Sequence, residues 1–294
     1  MLARLTHDRL LRAVLAPTRR AFAAAATANA PPPPSKKKKR ARLAGLAVSW
    51  PMPGVDAAPQ LKPHEAAAAQ RLFRADSKLI TSTGDAGDLP EWDVPELAFA
   101  GRSNVGKSSL LNAVVGQPAL MRTSKTSGRT QQLHFISVGG KVGSLPDLAL
   151  VDMPGYGFAA AAPKKVVDQW HALVGGYVNA RRGANLQMLF LLIDARRGLT
   201  PVDTDFMDFL YEQGTLYQLV FTKADAVPVG ELKARIAHAH EVLVARRDEL
   251  TRLHGFEQNM NPIVHVTSTK ENFGVRELQR QIFSLSGLLT PPSE

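Results

Sequence analysis

Residues 101–108 read Gly101-Arg-Ser-Asn-Val-Gly-Lys-Ser108 and fit the pattern G-x-x-x-x-G-K-S. Glycines in such a loop let successive backbone N–H groups turn inward, toward the oxygens of a phosphate. The lysine then reaches the β- and γ-phosphates, the serine hydroxyl binds Mg²⁺, and the next helix points its positive end at the anion. The sequence therefore predicts a phosphate-binding P-loop in which Lys107 and Ser108 hold a nucleotide and its metal ion.

The segments on either side fit a P-loop between a strand and a helix. Residues 95–100 form a short apolar run typical of a buried strand, and residues 109–115 have the composition of a helix start. Further apolar runs occupy residues 133–138, 148–151, 186–193, 216–221 and 263–266. Helical patterns lie between several of them, notably at residues 203–213, 231–253 and 275–285.

Alternating strands and helices are typical of an α/β fold. We therefore expect one P-loop α/β domain with a mostly parallel sheet of about six strands and helices on both faces. Runs 133–138 and 148–151 are too close for a helical crossover, so one strand should be antiparallel.

Composition and charge narrow the class of protein. The chain has 294 residues and no cysteine, which excludes disulfide scaffolds and thiolate metal sites. No apolar run reaches the roughly 18 residues of a membrane-spanning helix, so no transmembrane segment is expected. Residues 1–54 hold seven arginines and four lysines against Asp8 alone, which accounts for the whole net charge of +10. The remainder of the chain is therefore neutral.

Two interpretations of the basic, low-complexity segment 1–54 remain open. Its arginine-flanked apolar stripe and alanine-rich run are typical of a mitochondrial presequence, followed by a linker with prolines 31–34 and the basic run 36–40. No serine precedes Ser35, which departs from that type, and the alternative is an unprocessed bacterial extension. The corresponding locations are the mitochondrial matrix and the bacterial cytoplasm.

The rest of the chain divides into three parts. Residues 55–92 are a lead-in segment, with helix-forming residues near 65–73. Residues 93–288 contain the alternating strands and helices, and residues 289–294 form a tail.

Asp152-Met-Pro-Gly155 follows the apolar run 148–151, at the strand end where ligands of such sheets bind. An acid at this point can hold Mg²⁺, and the glycine N–H can contact a γ-phosphate. One strand after a P-loop, the motif predicts a nucleotide switch rather than an ordinary turn.

Thr222-Lys-Ala-Asp225 ends the run 216–221 in the same way. The Asp225 carboxylate can accept hydrogen bonds from guanine N1–H and the N2 amino group together, and adenine lacks that pair of donors. The Lys223 stem can cover the flat face of the base. The motif thus predicts GTP and GDP, not ATP, as the ligands. Val266-Thr-Ser268 ends the last run, where backbone N–H groups can reach guanine O6.

A switch threonine is expected between the P-loop helix and the next strand, within residues 123–131. Such a threonine binds Mg²⁺ and the γ-phosphate and releases them after hydrolysis. Thr123, Thr126 and Thr130 all satisfy the spacing, so the pattern alone leaves the choice open.

In this order, the motifs resemble the EngB (YihA/YsxC) family, small translation-factor-class GTPases that assist assembly of the large ribosomal subunit. The resemblance covers about residues 66–288 and is most specific in GRSNVGKSSLLN and PGYGF. Met153 and Ser127 depart from the family's usual leucine and proline, and residues 257–261 are extra. The family's usual N-terminus is short, so the resemblance implies nothing about residues 1–54.

The resemblance implies a GTP and Mg²⁺ pocket and identifies Thr130 as the switch threonine. The implied catalytic residues are Lys107, Thr130 and Gly155, and the implied metal ligands are Ser108, Thr130 and Asp152. The implied pocket comprises Gly101, Arg102, Ser103, Asn104, Val105, Gly106, Lys107, Ser108, Gly128, Arg129, Thr130, Gln131, Gln132, Asp152, Met153, Pro154, Gly155, Thr222, Lys223, Ala224, Asp225, Val266, Thr267 and Ser268.

Tyr156 occupies the position where many GTPases have the glutamine that orients the attacking water. A tyrosine hydroxyl can touch water but is a poorer match, so we expect slow intrinsic hydrolysis that a partner or a monovalent cation accelerates. Asn104 resembles the asparagine that coordinates potassium in some related GTPases, which makes K⁺ a candidate cofactor.

Two functions remain open at this stage. One is a GTP-dependent switch that binds a large-subunit precursor and its rRNA, and the other is a GTP-dependent protein-interaction module without a ribosomal role. Basic pairs at residues 164–165, 181–182 and 196–197 are candidate rRNA contacts, and no oligomer is expected. The histidines at positions 134, 171, 238, 240 and 265 show no metal-ligand spacing.

Overall fold

The computed structural model describes residues 43–57, 60–121, 131–141, 143–156, 163–254 and 259–288. The strands are β1 (Ser49–Pro51), β2 (Lys78–Thr83), β3 (Glu96–Gly101), β4 (Leu133–Val138), β5 (Leu148–Asp152), β6 (Leu186–Asp194), β7 (Tyr217–Thr222) and β8 (Ile263–Val266). The helices are α1 (Pro63–Leu72), α2 (Lys107–Val114), α3 (Lys164–Arg181), α4 (Pro201–Glu212), α5 (Val229–His254) and α6 (Val275–Leu285). Among these helices, none is long and apolar enough to cross a membrane.

The strands form one sheet in the order β1-β8-β7-β6-β3-β5-β4-β2. The central strands β5, β3, β6, β7 and β8 are parallel, and β4 is antiparallel to β5. The predicted class of fold and the predicted antiparallel pair are therefore confirmed. Two further strands, β1 and β2, add antiparallel pairs at the edges, which raises the strand number above the expected six.

The apolar pattern of the sequence did not predict β1 and β2, for physical reasons. β1 has only three residues, one of them Pro51, and so carries no alternation. In β2, Leu79 and Ile80 are 44% and 45% exposed, because an edge strand covers little of the core. A register shift between Leu79 and Thr81 interrupts its alternation further.

Alternate residues of the central strands face two hydrophobic cores, one on each side of the sheet. On β3, Leu97 and Phe99 pack with α1, α2 and α6, whereas Ala98 and Ala100 pack with α3, α4 and α5. All six residues of β3 are buried. This two-sided burial explains why the parallel strands read as continuous apolar runs, and it holds the strand ends in fixed positions.

Helix α3 was not among the predicted helices. Gly175 and Gly176 lie within it, and glycine disfavours the interior of a helix by about 1 kcal/mol relative to alanine. A Cβ on Gly176 would lie 2.5 Å from the Cβ of Ala86, so the glycine permits a close approach between α3 and the turn at residues 86–88. Tertiary packing thus outweighs local propensity here.

The expected boundary at residue 54 does not separate extension from domain. Leu43 and Met52 are only 6% and 1% exposed, and β1 pairs with β8. The folded part therefore includes residues 43–54, which composition had assigned to the extension. The tail 289–294 and residues 1–42 lie outside the described residues.

Candidate functional site

The P-loop connects the end of β3 to the start of α2. Gly106 precedes the helix with a φ of 107°, and Asn104 has a φ of 65°, so both adopt the left-handed backbone that makes this tight turn. The Val105 N–H donates to Arg102 O at 3.1 Å, which closes the loop. The first turn of α2 therefore begins at Lys107 and Ser108, the residues predicted to hold phosphate and metal.

Lys107, the first residue of α2, forms an ion pair with Asp152, the last residue of the strand beside β3. Asp152 ends β5 and is 4% exposed, and the side chain of Lys107 is 14% exposed. The pair brings the P-loop and the Asp152-Met-Pro-Gly155 segment together at one edge of the sheet. A hydroxyl at Ser108 and a carboxylate at Asp152 are the oxygen ligands that Mg²⁺ prefers, so this part of the predicted donor set fits the metal.

The segment after Asp152 lies directly against the P-loop. Met153, which is buried, donates its N–H to Phe99 O at 3.0 Å, and the Tyr156 N–H donates to Gly101 O at 3.3 Å. A Cβ on Gly155 would lie 3.2 Å from Gly101 O and 3.3 Å from Ser103 N. Only a glycine allows this approach without displacement of the P-loop backbone.

The Thr222-Lys-Ala-Asp225 motif meets the P-loop from the other side. The Thr222 hydroxyl donates to Val105 O at 2.7 Å. Lys223 has a φ of 57°, and its ammonium group donates to Asn104 O and to Asp194 Oδ2. The lysine stem therefore extends along the P-loop, and its contact with a base stays a prediction.

Asp225 and the loop after β8 are hydrogen-bonded to each other. The Ser268 hydroxyl donates to Asp225 Oδ1 at 2.7 Å, and the Ala224 N–H donates to Thr267 O at 3.1 Å. Asp225 is 9% exposed and Ser268 is fully buried. One carboxylate oxygen is thus held by the protein, which fixes the orientation of the group predicted to select guanine.

Comparison with known proteins identifies the family. The model of a protein family described as 50S ribosome-binding GTPase matches residues 96–223. A probable GTP-binding protein EngB of Bradyrhizobium diazoefficiens is 42% identical over 218 residues, which cover 74% of this chain and 92% of that protein. A second, of Chelativorans sp., is 44% identical over 197 residues, which cover 66% of this chain and 81% of that protein. A crystal structure of a probable GTP-binding protein engB aligns with a TM-score of 0.45 and 24% identity, covering 65% of this chain and 97% of that one.

The chain belongs to the EngB family. It is accordingly a GTPase with a P-loop fold. These EngB relatives are bacterial proteins, so the expected mitochondrial matrix location is not supported. The arginine-rich composition of residues 1–54 suggested a presequence, but composition of that kind is shared by basic extensions with no targeting role.

Tyr156, next to the EngB glycine Gly155, points into the protein. Its hydroxyl donates to Asp203 Oδ1 at 2.8 Å, and its ring stacks on Phe206 with a centroid distance of 4.5 Å. Burial raises the pKa of the hydroxyl well above its ordinary value, and the Asp203 carboxylate raises it further. The idea that this hydroxyl touches the attacking water is therefore wrong for this conformation, because α4 supplies a buried acceptor that the sequence pattern did not reveal.

Asp194, at the end of β6, contacts the Thr222-Lys-Ala-Asp225 segment and was not among the predicted site residues. It accepts hydrogen bonds from Lys223 and from the backbone and side chain of Arg196. Burial alone would raise the pKa of this carboxyl, but the hydrogen bonds from Arg196 and Lys223 outweigh it and lower the pKa. Its position just after the apolar run 186–193 was the available signal, since ligand-side residues of parallel sheets follow their strands.

Two of the arginines proposed for rRNA have carboxylate partners within the protein. Arg181 is 9% exposed and lies 3.3 Å from buried Glu96, so it is withdrawn from the surface. Arg196 forms an ion pair with Asp194, but its side chain stays 47% exposed. The other members of the three basic pairs, Lys164, Lys165, Arg182 and Arg197, are exposed as well.

The switch region lies largely outside the described residues. Thr123, Thr126, Gly128, Arg129 and Thr130 all fall in residues 122–130, which the structure does not describe. Gln131 and Gln132 are described and lead into β4. Among the described residues, no cluster of three or more His, Cys, Asp or Glu side chains forms a metal site of another kind.

Proposed function

We propose that this EngB protein is a GTP-dependent switch, with slow GTP hydrolysis, in assembly of the large ribosomal subunit. The observation that carries the proposal is the match of residues 96–223 to a family model described as 50S ribosome-binding GTPase. The hydrogen-bonded pair Ser268–Asp225 beside the P-loop supports guanine as the base. Bacterial relatives favour the bacterial cytoplasm as the location, and we expect a monomer.

The phosphate side of the pocket supports the proposed division of roles. Lys107 would bind the β- and γ-phosphates, and Ser108, Thr130 and Asp152 would hold Mg²⁺, which neutralises charge on the phosphate oxygens when bound. A phosphate at Lys107 would replace its ion pair with Asp152 and so release the carboxylate for the metal. Residues 128–132 and the N–H of Gly155 would complete the γ-phosphate contacts, which links GTP binding to the conformation of residues 152–156.

Slow intrinsic hydrolysis follows from the orientation of Tyr156. Its hydroxyl is occupied by Asp203 and buried, so no side chain at this position is directed at an attacking water. Potassium held by the exposed side chain of Asn104 would supply positive charge where other GTPases use an arginine. Hydrolysis that is equally fast in sodium and potassium buffers, with and without ribosomal particles, would refute this role for K⁺.

Cosedimentation tests the ribosomal role. The full chain is incubated with purified large-subunit precursors, or with small subunits as a control, in the presence of a non-hydrolysable GTP analogue or of GDP. We expect association with the large-subunit particles only, and only with the GTP analogue. Association that is absent, or that ignores the nucleotide, would contradict the proposal and favour a protein-interaction module without a ribosomal role.

A further inference from the structure

We propose that the groove between α1 and α6 binds the phosphate backbone of RNA. The groove has a volume of about 510 Å³ and is lined by Arg74, Arg276 and Arg280, with Gln70 and Gln279 between them. None of its lining residues belongs to the P-loop or to the motifs at the ends of β5, β7 and β8. It is therefore a second site, separate from the nucleotide pocket.

The arginines of the groove carry uncompensated charge. All three are exposed, and none forms an ion pair with another of the described residues. No acidic side chain is among the described residues that line the groove. Since residues 55–294 hold equal numbers of basic and acidic residues, this local excess of positive charge distinguishes one face of a neutral domain.

The two walls of the groove are fixed by the core. On one wall, Ala69 and Phe73 are 1% and 4% exposed and anchor α1. On the other, the Gln279 side chain donates to Val114 O at 2.6 Å, which ties α6 to α2. Arg276 and Arg280 are one helical turn apart on α6, so their guanidinium groups project from the same face as Gln279. The charges are therefore presented by a rigid frame and not by loops.

The chemistry of the lining favours a polyanion over a protein surface. Guanidinium groups bind phosphate oxygens in a bidentate manner, and amide side chains such as Gln70 add further donors. Protein interfaces depend on large apolar anchors, and the one large apolar side chain among the lining residues, Phe73, is buried. The choice of RNA as the polyanion rests on the proposed function.

The experiment compares two variants of the full chain that lose the same charge. The groove variant carries Arg74→Gln, Arg276→Gln and Arg280→Gln. The control variant carries Lys78→Gln, Lys141→Gln and Lys233→Gln, three exposed lysines outside the groove. Binding of a fluorescent single-stranded RNA is measured by anisotropy from 50 to 300 mM KCl, and GDP affinity and thermal stability show that each variant is folded.

We expect the groove variant to bind RNA more weakly, by roughly ten- to fifty-fold near 150 mM salt. The slope of log K against log salt should become shallower by about two, since each phosphate contact on a single strand contributes about 0.7. The control variant should keep the slope of the unaltered chain. Equal losses of RNA affinity in the two variants would overturn the proposal. RNA binding would then depend on charge elsewhere, including the basic segment 1–54.

Cosedimentation of the groove variant separates this inference from the proposed function. Unchanged RNA affinity together with lost binding to large-subunit particles would mean that the groove contacts a ribosomal protein, which overturns the RNA assignment but not the ribosomal role. If RNA binding depends on the groove but the chain never associates with those particles, the groove is an RNA site and the ribosomal role is refuted.

Discussion

The hydroxyl of Tyr156 donates a hydrogen bond to Asp203, and this contact gives the residue a structural function next to Gly155, whose N–H is predicted to contact the γ-phosphate. Asp203 in turn accepts from the Thr200 N–H and hydroxyl, and Arg102 of the P-loop donates to the same hydroxyl at 3.3 Å. Burial raises the pKa of the Asp203 carboxyl, despite these hydrogen bonds. The chain of contacts joins residues 152–156, α4 and the P-loop.

Replacement of Tyr156 by phenylalanine separates stability from catalysis. We expect Tyr156→Phe to lower the free energy of unfolding by about 1 kcal/mol, since the buried Asp203 loses a donor. The single-turnover rate of GTP hydrolysis should stay within about twofold, because the hydroxyl does not face the substrate. Tyr177→Phe, which removes a buried hydroxyl bonded to Glu96, is the matched control for stability. A large loss of hydrolysis in Tyr156→Phe alone would show that the hydroxyl acts on the reaction.

His265 in β8 makes folding sensitive to acid. Burial lowers the pKa of its imidazole to about 4. The unfolded chain binds this proton near the ordinary pKa of about 6.5, so stability is complete above pH 6.5 and falls as the pH drops toward 4. The contribution of this residue is at most about 1.4 kcal/mol per pH unit. In urea unfolding, the free energy of unfolding of His265→Gln should fall less between pH 6.5 and 4.5 than that of the unaltered chain. His171→Gln, at an exposed position, is the control. If all three proteins lose the same stability over this pH range, His265 is not the source of the acid sensitivity.

Among the secondary-structure elements, β1 supports β8, the strand that leads to the loop predicted to bind the base. It pairs with β8 through residues 49–51, and the Val266 N–H donates to Val48 O at 2.9 Å. His240 on α5 contacts Trp50 O at 3.1 Å, which attaches the same segment to a helix. The segment thus lies beside Val266, the last residue of β8, which is followed by Thr267 and Ser268.

Truncation of Met52 measures this support. Met52→Ala should destabilise the fold by about 2–4 kcal/mol, since Met52 is 1% exposed in the core. GDP affinity should fall several-fold, because β1 and β8 hold the loop that positions Asp225. Leu216→Ala, at a position that is 49% exposed and directly precedes β7, should change neither quantity appreciably. Unchanged stability in Met52→Ala would show that residues 43–57 are not part of the core.

The sequence predicts elements whose pattern is local and misses those set by packing. The six apolar runs became β3 to β8 because both faces of those strands are buried. The edge strands β1 and β2 and the glycine-containing α3 depend on neighbours distant in the chain. In the pocket, the Asp225–Ser268 contact agrees with the order of the motifs, and the position of Asp194 after an apolar run could have been noticed in the sequence. The partners of Asp194 and Tyr156 are distant in the chain and were visible only in the structure.

For the molecule as a whole, the fold places two kinds of ligand surface on one neutral domain. The ends of β3, β5, β6, β7 and β8 gather the nucleotide motifs at one edge of the sheet, as parallel α/β sheets do. The α1–α6 groove adds a basic face on the side of α2. Since α2 starts in the P-loop and its Val114 O accepts from Gln279 of α6, one helix contacts both sites.

Nucleotide binding by the full chain, with and without Asp225→Asn, shows whether the pocket selects guanine. We expect tight binding of GTP and GDP, no binding of ATP, and a loss of about 100-fold or more in guanine-nucleotide affinity in the variant. The variant should gain affinity for xanthine nucleotides, whose 2-oxo group accepts from the asparagine amide, and this gain shows that it is folded. Equal affinity for ATP, or guanine-nucleotide binding that is unchanged in Asp225→Asn, would mean that Asp225 does not select the base and that the pocket is not specific for guanine.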